Sequence, residues 1–457
     1  MTTLIDLPNE LLLSITSHFT TGNEIDVTTL LSLCRTSRLL RYIAQPALYT
    51  CVRISEPEDD PLRPLKIFLK TLLQRPALAK VNRELDIVND RELGHDRPAL
   101  REDECFMEIS ALIGGYSSEI NPDLCFFPLA VEVLARLPNL QHLRLTCEIA
   151  HPGYLLGQLH HLRASGTILS ELKTFRLDKQ YEEGLINIQD YIPFLRYPSF
   201  EEFISEGNNH PQFGQSHTHN SISHSEVTLY WCIIDEPITK LLLDTCDALR
   251  EFTFVVADEE VIIDDGDTGH LPLVCPRQLL TALLESHCQT LKVLILDFRH
   301  RYNFDYQDLE DEIYNHPDYT PEINPYTYPS FHGFERLTNM LIEFERLVEV
   351  RHLPSSLRVL TLKYCHFENM EKEYLDDLIR LKETWCPEII SVTVTGSERT
   401  NDGIMTLYEH ARTLNAPVHA TEDGRVLTFL GTGRHLQIQS HLPLFWDDSE
   451  LVDLELA

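Results

Sequence analysis

Four histidines come nearest, in type and spacing, to a metal site. His210, His217, His219 and His224 lie in a polar stretch that also contains Gly, Ser, Asn and Gln. Imidazole is a common ligand of transition metals, and a His-x-His pair can offer two rings to one ion. No Cys or acidic ligand accompanies them at a characteristic spacing, and ordering a flexible loop costs conformational entropy. The stretch therefore predicts a solvated loop without a metal.

Other patterns that resemble catalytic or ligand-binding motifs are incomplete. The acidic run at 258–267 lacks the ligand order of a calcium-binding EF-hand loop. Gly431-Thr432-Gly433 is too short for a phosphate-binding loop, and no helix pattern follows it. The nucleophile motif GxSxG is absent. We therefore expect no catalytic residues, metal or cofactor, although an enzyme of unfamiliar sequence stays open as an alternative.

The charge balance narrows the class of partner. The chain has 457 residues and a formal net charge of −33, from 38 Lys+Arg and 71 Asp+Glu. Such a charge disfavours binding to a phosphate backbone, so we expect no nucleic-acid partner. An acidic surface favours encounter with basic proteins, or it serves solubility alone. Apolar residues make up 43% of the chain, enough for an ordered protein with a large core.

Cysteine usage and hydropathy indicate the compartment. Eleven cysteines are scattered along the chain without a CxxC pair or a regular spacing, which is typical of a reducing environment. No basic segment precedes the first apolar stretch, and no apolar run approaches the length of a membrane span. We expect a cytoplasmic or nuclear protein with no membrane partner.

The beginning of the chain has the pattern of a small helical module. Leu7, Leu11, Ile15 and Phe19 recur at four-residue spacing, with Asp6 and Pro8 at the start, which predicts a capped helix with one apolar face. A second apolar block covers 27–43 and ends before Pro46. About fifty residues bury too little surface to be strongly stable alone, so such a unit normally packs on a partner or a neighbouring domain.

These residues carry a resemblance to a known family. Two motifs resemble the F-box common in fungal proteins, Leu7-Pro8-x-Glu10-Leu11-Leu12-x-x-Ile15 and Leu31-x-Leu33-Cys34-Arg35-x-Ser37-Arg38-x-Leu40-x-x-Ile43-Ala44-x-Pro46-x-Leu48-Tyr49. The sequence departs from the family in lacking the tryptophan that many F-boxes carry after the cysteine-basic segment, and in a longer connection at 20–29. The resemblance implies three helices within residues 1–55 that insert into the Skp adaptor, which bridges to a cullin-RING scaffold.

The resemblance also implies which side chains meet the adaptor. They are the apolar residues and the proline of the two motifs: Leu7, Pro8, Leu11, Leu12, Ile15, Leu31, Leu33, Leu40 and Ile43. The alternative is that the module caps the following domain and that its leucines pack inward only.

A linker helix is expected within residues 56–80, and beyond it an apolar-x-x-apolar-x-apolar phrase recurs. Copies begin at Leu140, Leu172, Leu249, Leu291, Leu337, Leu357 and Ile389, with weaker copies ending at Ile87, Phe203 and Leu229. Each phrase predicts a short strand with alternate residues facing inward. Helical patterns lie between them at 237–243, 278–284 and 374–381.

The phrases are similar to degenerate leucine-rich repeats. The predicted fold is α/β, a small N-terminal three-helix F-box followed by an irregular solenoid with a curved parallel sheet over 81–430 and an acidic tail over 431–457. An ordinary α/β domain is the alternative. Longer segments at 89–135, 205–224, 257–275 and 299–333 interrupt the period, and insertions in repeat arrays usually map to loops.

A solenoid exposes an extended surface that suits recognition of a protein. The sequence therefore predicts the substrate-recognition subunit of a Skp-cullin-F-box ubiquitin ligase, itself without catalysis, in which proximity promotes ubiquitin transfer. A ligase-independent interaction scaffold is the alternative. Tyrosines in the segment 299–334 are candidate substrate contacts, above all Tyr302, Tyr306, Tyr314 and Tyr319; alternatively the segment folds back and its tyrosines cover the solenoid.

Overall fold

The computed structural model describes fifteen parts of the chain, and every statement below refers to them. They are residues 7–19, 26–55, 63–89, 126–147, 169–179, 192, 199–207, 218–232, 234–256, 274–298, 324–365, 376–378, 380–396, 418–420 and 426–430. The chain divides into two compact units, unit 1 with residues 1–209 and 218–224, and unit 2 with residues 210–217 and 225–457.

Unit 1 begins with three helices, called here the N-terminal module: α1 (Asn9–His18), α2 (Val27–Thr36) and α3 (Arg38–Leu48). The side chain of Asp26 caps α2 by accepting the backbone N–H of Thr29 at 2.9 Å. Ser37 does the same for α3 through the N–H of Leu40 at 3.1 Å. Such caps satisfy N–H groups that have no partner within the helix. Both α1 and α2 pack against α3.

The sheet of unit 1 follows directly. Its strands are β1 (Cys51–Ser55), β2 (Glu84–Asn89), β3 (His142–Cys147), β4 (Thr174–Lys179), β5 (Glu202–Gly207) and β6 (Thr218–Ser223). Strands β1 to β5 pair in parallel in chain order, and β6 pairs antiparallel with β5. Among its described residues this unit also has the helices α4 (Arg63–Gln74), α5 (Pro76–Ala79) and α6 (Phe126–Leu134). Helix α4 packs against α6.

Unit 2 repeats this architecture. Its parallel strands are β7 (Glu226–Cys232), β8 (Glu251–Val256), β9 (Val293–Asp297), β10 (Asn339–Glu343), β11 (Val359–Cys365) and β12 (Ser391–Gly396). An antiparallel pair, β13 (Val418–Ala420) and β14 (Val426–Leu430), joins β12 through β14. The helices are α7 (Glu236–Thr245), α8 (Pro276–His287) and α9 (Leu381–Thr384), with 3-10 turns at Phe344–Arg346 and Val350–His352.

One backbone hydrogen-bond arrangement recurs at the start of the parallel strands. The carbonyl of the residue before a strand accepts two N–H groups from the next turn, as Arg83 O accepts from Gln141 N at 2.7 Å and from His142 N at 2.9 Å. In unit 2, Arg250 O accepts from Lys292 N at 2.7 Å and from Val293 N at 3.0 Å. This repetition fixes the register of each turn on the one before it, as expected of a repeat architecture.

The predicted α/β class with a leucine-rich-repeat-like parallel sheet is confirmed. Each apolar phrase coincides with a strand, and its inward residues, for example Leu294, Leu296 and Leu362, are fully buried. Helices α4 and α5 lie within residues 56–80, and α7 and α8 lie at the helical patterns of 237–243 and 278–284.

Two expectations need correction. The segment 205–224 was expected to be a loop, but its ends form β5 and β6 as an antiparallel pair. His219 thus lies in a strand, in which Ser221 and Ile222 are both buried. Residues 51–55 were assigned to the helical module, but they form β1, whose Ile54 is buried and pairs with Ile87.

Candidate interaction surfaces

The N-terminal module has a hydrophobic interior of its own. Leu12, Leu40 and Ile43 are buried against one another, with Leu7, Leu33 and Leu39 packed on them. A second cluster consists of Leu30, Cys34 and Ala44. Three residues that the sequence placed on a partner surface, Leu12, Leu40 and Ile43, are therefore interior residues in this structure, because the three helices bury them against each other.

A different subset of the module's apolar side chains faces outward. On α1, Leu11 is 51% exposed, and Pro8 beside it is exposed as well. On α2, Leu31 is 41% and Val27 48% exposed. Ile15 is half-buried, like Leu7 and Leu33. Residues four apart lie on one side of a helix, so Leu11 and Ile15 form a stripe on α1, and Val27 with Leu31 forms one on α2.

The module is joined to the sheet of unit 1 through several contacts. The ring of Tyr49 stacks on Phe68 of α4 at 6.2 Å between centroids. Arg75 donates from Nη1 to Gln45 Oε1 at 3.0 Å. The buried amide of Asn82 donates from Nδ2 to the carbonyl of Tyr49 at 2.9 Å. Because β1 starts three residues after α3 ends, these contacts fix the module on the first strands.

The outward face of unit 1's sheet carries an arginine-aspartate ladder. In register across β1 to β4 stand Arg53, Asp86, Arg144 and Arg176. Arg53 Nε lies 3.4 Å from Asp86 Oδ2. Burial raises the pKa of the Asp86 carboxyl, and the nearby charges of Arg144 and Arg53 offset part of that rise.

The last two arginines of the ladder share one carboxylate, that of Asp178 two residues beyond Arg176 on β4. Arg144 donates from Nε to Asp178 Oδ2 at 2.6 Å, and Arg176 donates from Nε to Oδ1 at 2.8 Å. Charge-assisted hydrogen bonds of this kind orient a guanidinium strongly. The two guanidiniums are therefore held side by side on neighbouring strands.

Unit 2 contains a buried cluster of charged groups that sequence reasoning missed. Glu343, at the end of β10, accepts from Arg346 Nε at 3.1 Å and also from the hydroxyl of Tyr328 and the backbone N–H of Phe298. Asp297 lies in the same buried region, 3.9 Å from Lys363 Nζ. Burial raises the pKa of Glu343, and the Arg346 charge offsets part of the rise. Burial, and then the Glu343 charge, raise the pKa of Tyr328 far above its usual range.

This cluster is closed to solvent and satisfies its groups internally, so its geometry suits anchoring and not catalysis. Arg346 also donates from Nη1 to the carbonyl of Tyr326 at 3.1 Å, and Tyr328 N donates to Arg346 O at 2.9 Å. The cluster thereby fastens the segment 326–334 to β10. The sequence does contain a sign of this cluster, because an acid directly follows an inward apolar residue at the end of both β9 and β10.

The tyrosine candidates fall into two groups. Tyr302, Tyr306, Tyr314 and Tyr319 lie outside the described residues. Tyr326 and Tyr328 are buried, with Tyr328 packed on the ring of Phe331 at 5.7 Å. For these two tyrosines, the alternative that the segment folds back and covers the repeat array is the correct one.

The described ranges hold neither a metal-binding cluster of side chains nor a membrane-spanning helix. Within them, no group of three or more His, Cys, Asp or Glu side chains is arranged to hold a metal ion. Among the same residues, no helix combines the length and apolarity that crossing a bilayer demands. His210 and His217 are not described, and His219 is described only as part of the backbone of β6.

Comparisons with known proteins identify no family. No family model matches the chain, and no curated protein matches its sequence significantly. Among solved structures, the crystal structure of the Rad7 and Elc1 complex in yeast is similar at 15% sequence identity, covering 68% of this chain and 85% of that chain, with a TM-score of 0.22. A likeness at that TM-score carries no argument about function, so the case below depends on the residues themselves.

Proposed function

We propose that this chain is the substrate-recognition subunit of a Skp-cullin-F-box ubiquitin ligase. In this proposal the N-terminal module is an F-box that binds the Skp adaptor and, through it, the cullin-RING scaffold. The parallel sheet binds a protein substrate. The chain itself contributes no catalytic residue and no cofactor, and it acts in the cytosol or the nucleus.

The observation that carries the proposal is the outward apolar stripe of the module. The interior formed by Leu12, Leu40 and Ile43 is complete without Leu11, Leu31 and Val27, which stay largely exposed. Large aliphatic side chains grouped on a small helical surface are a mark of a protein interface. Leu11 and Leu31 also belong to the two motifs that resemble the F-box, so these two exposed positions are among those expected to meet the adaptor.

The connection between module and sheet supports the second half of the proposal. Tyr49, Gln45 and Asn82 tie the module to α4 and to the start of β2. A substrate on the outward face of these strands would be held at a defined place relative to the adaptor. Effective concentration falls steeply when a connection is floppy, so a fixed joint favours transfer of ubiquitin by proximity.

The proposal assigns no catalytic role to the buried cluster of unit 2. Its titratable groups, Glu343, Arg346 and Tyr328, are closed to solvent. A general acid or base must reach a substrate within hydrogen-bond distance, and these groups have no access to one.

The test is co-purification with the Skp adaptor. We expect the full chain to elute with the adaptor on size exclusion, and the double variant Leu11→Ala with Leu31→Ala to elute without it. Truncating a hot-spot side chain at the centre of an interface costs about 2 kcal/mol or more. Both residues are exposed, so the variant keeps its interior, which circular dichroism checks.

Leu13→Ala is the matched control, because Leu13 is 53% exposed on α1 but lies off the stripe of Leu11 and Ile15. Its binding should stay close to that of the unmodified chain. Adaptor binding that persists in the double variant would sink the proposed contact surface.

The scaffold alternative is distinguished by what accompanies the adaptor. A ligase subunit brings the cullin and the RING protein into the complex, and addition of ubiquitin, its activating enzyme and its conjugating enzyme yields modified substrate. A chain that binds neither the adaptor nor the cullin, and yet retains partners through its sheet, is a ligase-independent scaffold.

A further inference from the structure

The stretch from α2 to the start of β2 has a charge of the opposite sign to the chain as a whole. Residues 27–83 carry ten Lys and Arg and four acids, a formal charge of +6 within a chain of −33. The four acids all lie at 56–60, outside the described residues. The charged residues that the structure describes in this stretch are therefore all basic: Arg35, Arg38, Arg41, Arg53, Arg63, Lys66, Lys70, Arg75, Lys80 and Arg83.

Helix α4 presents part of this charge together with apolar side chains. Its buried residues are Leu65, Phe68, Leu69 and Leu72. On the opposite side, Arg63, Ile67, Lys70 and Gln74 follow one another at three- and four-residue spacing, and all four are exposed. Ile67 is 56% exposed, and Leu73, three residues after Lys70, is 43% exposed. Residues three and four apart are neighbours on a helix surface, so these five side chains form one continuous surface, called here the α4 face.

The cations of the α4 face have no acid partner among the described residues. The ion pairs of those residues involve neither Arg63 nor Lys70. Helix α4 packs against α5, α6 and β1. Of these elements, α5 and β1 contain no acid, and the acid of α6, Glu132, is paired with Arg136. The elements packed on α4 therefore leave the charge of its outer face in place.

An exposed helix of unit 2 shows a different arrangement. On α7, Lys240 stands between Glu236 and Asp244 at four-residue spacing, and all three are exposed. Such pairs of opposite charge stabilise a solvent-facing helix. The α4 face has no such pairs, and a surface kept for solubility gains nothing from exposing Ile67 and Leu73. Exposed aliphatic side chains framed by cations of one sign are instead suited to an acidic, partly apolar ligand.

We propose that the α4 face binds an amphipathic acidic helix of a partner protein distinct from the adaptor. Arg63 and Lys70 are seven residues apart, which is about 10 Å along the helix axis. That distance matches two carboxylates seven residues apart on a facing helix, whose apolar side chains between them cover Ile67 and Leu73. The inference goes beyond the proposed function, and neither of the two requires the other.

A helix fits this surface better than an extended peptide. An added strand needs free backbone N–H and C=O groups, whereas those in the middle of α4 bond to one another within the helix. Two helices pack when the side-chain ridges of one enter the grooves of the other. The pairs Arg63–Ile67 and Lys70–Gln74 are each four residues apart and form such ridges.

The charge of the whole chain favours a peptide over an anionic membrane. Charges are largely screened beyond about 8 Å at physiological salt, so a helix that lies along α4 interacts chiefly with the local cations. A membrane surface is wide and also meets the acidic remainder of the chain, which repels anionic lipids. The two aliphatic side chains of the α4 face, Ile67 and Leu73, are also fewer than the continuous apolar face of a membrane-surface helix.

The test uses the full chain and fluorescein-labelled eighteen-residue peptides of Ala and Gln, a composition that forms a helix. The acidic peptide carries two Glu residues seven positions apart with two adjacent Leu residues midway between them. A second peptide has Lys in place of both Glu, and a third has Ser in place of both Leu. By fluorescence anisotropy, we expect the acidic peptide to bind about tenfold more tightly than either of the others and to bind less tightly as salt is added.

The variant pair Ile67→Ala with Lys70→Gln should lower the affinity for the acidic peptide about tenfold. The matched control is Val348→Ala with Lys240→Gln, because Val348 is 50% exposed and Lys240 is exposed, and both lie outside α4. Its affinity should equal that of the unmodified chain. Lys70→Glu should weaken binding of the acidic peptide and strengthen binding of the Lys peptide. Unfolding midpoints of all variants check that the fold persists.

Equal binding of the three peptides, or unchanged binding by the double variant, overturns the inference. Vesicles of phosphatidylcholine and phosphatidylserine provide the membrane comparison. Sedimentation with them that depends on Ile67 and Lys70, in a chain that ignores the acidic peptide, assigns the face to a membrane and overturns the inference too.

Adaptor co-purification with the same proteins keeps the two proposals apart. The double variant at Ile67 and Lys70 should lose the acidic peptide and retain the adaptor. Loss of the adaptor together with the peptide in a folded variant would assign the α4 face to the adaptor and overturn the inference of a separate partner.

Discussion

Arg346 Nε and Glu343 Oε1 are 3.1 Å apart, and both side chains are almost completely removed from water. The two residues lie three positions apart, where β10 passes into a 3-10 turn. Arg346 reaches from there to the carbonyl of Tyr326, and Glu343 accepts the hydroxyl of Tyr328. The pair thus connects β10 to the segment that precedes it in the chain.

Removing Arg346 alone should therefore be severe. In Arg346→Met, Glu343 stays buried without its cation, which typically costs about 3–5 kcal/mol of unfolding free energy. Urea titration followed by circular dichroism measures it. The control Arg351→Met removes an exposed arginine paired with Glu349 and should cost less than about 1 kcal/mol.

Replacing both members of the buried pair separates the effect of the ion pair on stability from the effect of side-chain packing. Glu343→Gln with Arg346→Met leaves no buried charge from the pair, so we expect part of the stability to return relative to Arg346→Met alone. A double variant that is destabilised, relative to the unmodified chain, by the full sum of the Arg346→Met and Glu343→Gln effects would contradict the role of the pair.

The module's interior and its outward stripe should respond differently to the same truncation. Leu40→Ala opens a cavity against Leu12 and Ile43 and should cost about 2–5 kcal/mol. Leu11→Ala removes an exposed side chain and should change stability by less than about 0.5 kcal/mol. Thermal unfolding compares the two. Equal losses would mean that Leu11 is buried in solution.

His287 should make unit 2 sensitive to mild acid. Its Nε2 donates to the carbonyl of Leu243 at 3.0 Å, which joins α8 to α7, and burial lowers the pKa of the ring below its ordinary value of 6.5. As the pH falls through 6.5, the unfolded chain takes up a proton before the folded chain does, so stability present above that pH is progressively lost.

The measurement is the unfolding midpoint between about pH 7.5 and 5.5, a window in which histidine is the main titrating side chain. His287→Gln keeps an N–H that can reach Leu243 and does not titrate. Its midpoint should decline less than that of the unmodified chain over this window. An identical decline would assign the acid sensitivity to other groups.

Two buried cysteines should resist alkylation. Burial raises the pKa of both Cys246 and Cys386 to about 12, so at pH 8 only about one thiol in ten thousand is the reactive thiolate. Iodoacetamide followed by mass spectrometry should modify Cys288, which is partly exposed, well before either of them. Denaturant should abolish the difference, and rapid labelling of Cys386 in the folded chain would contradict its burial.

The repeat strands were predictable because each buries several residues at a fixed spacing. Leu291, Leu294 and Leu296 mark β9 by themselves, and their burial is complete. Strand β1 was not predictable in this way, since Cys51–Ser55 has one fully buried residue, Ile54, and owes its conformation to pairing with β2. Long-range pairing leaves little trace in a local pattern.

The candidate surfaces were predictable only in part, for a related reason. The sequence identified Leu11 and Leu40 as apolar residues of the same module, but helix packing decides that one faces outward and the other inward. The arginine ladder was missed because Arg53, Asp86 and Arg144 lie far apart in sequence and become neighbours only through the register of β1, β2 and β3.

The Arg83 and Arg250 carbonyls each accept two backbone N–H groups, and this arrangement affects how the sequence can evolve. These hydrogen bonds hold the start of each strand to the strand before it. Residues 90–141 separate β2 from β3 in the sequence, and the two strands still pair in register. The connecting stretches are thus free to lengthen, shorten or diverge while the strands keep their places. A lineage carrying this fold can acquire new binding specificities by insertion, with its framework conserved.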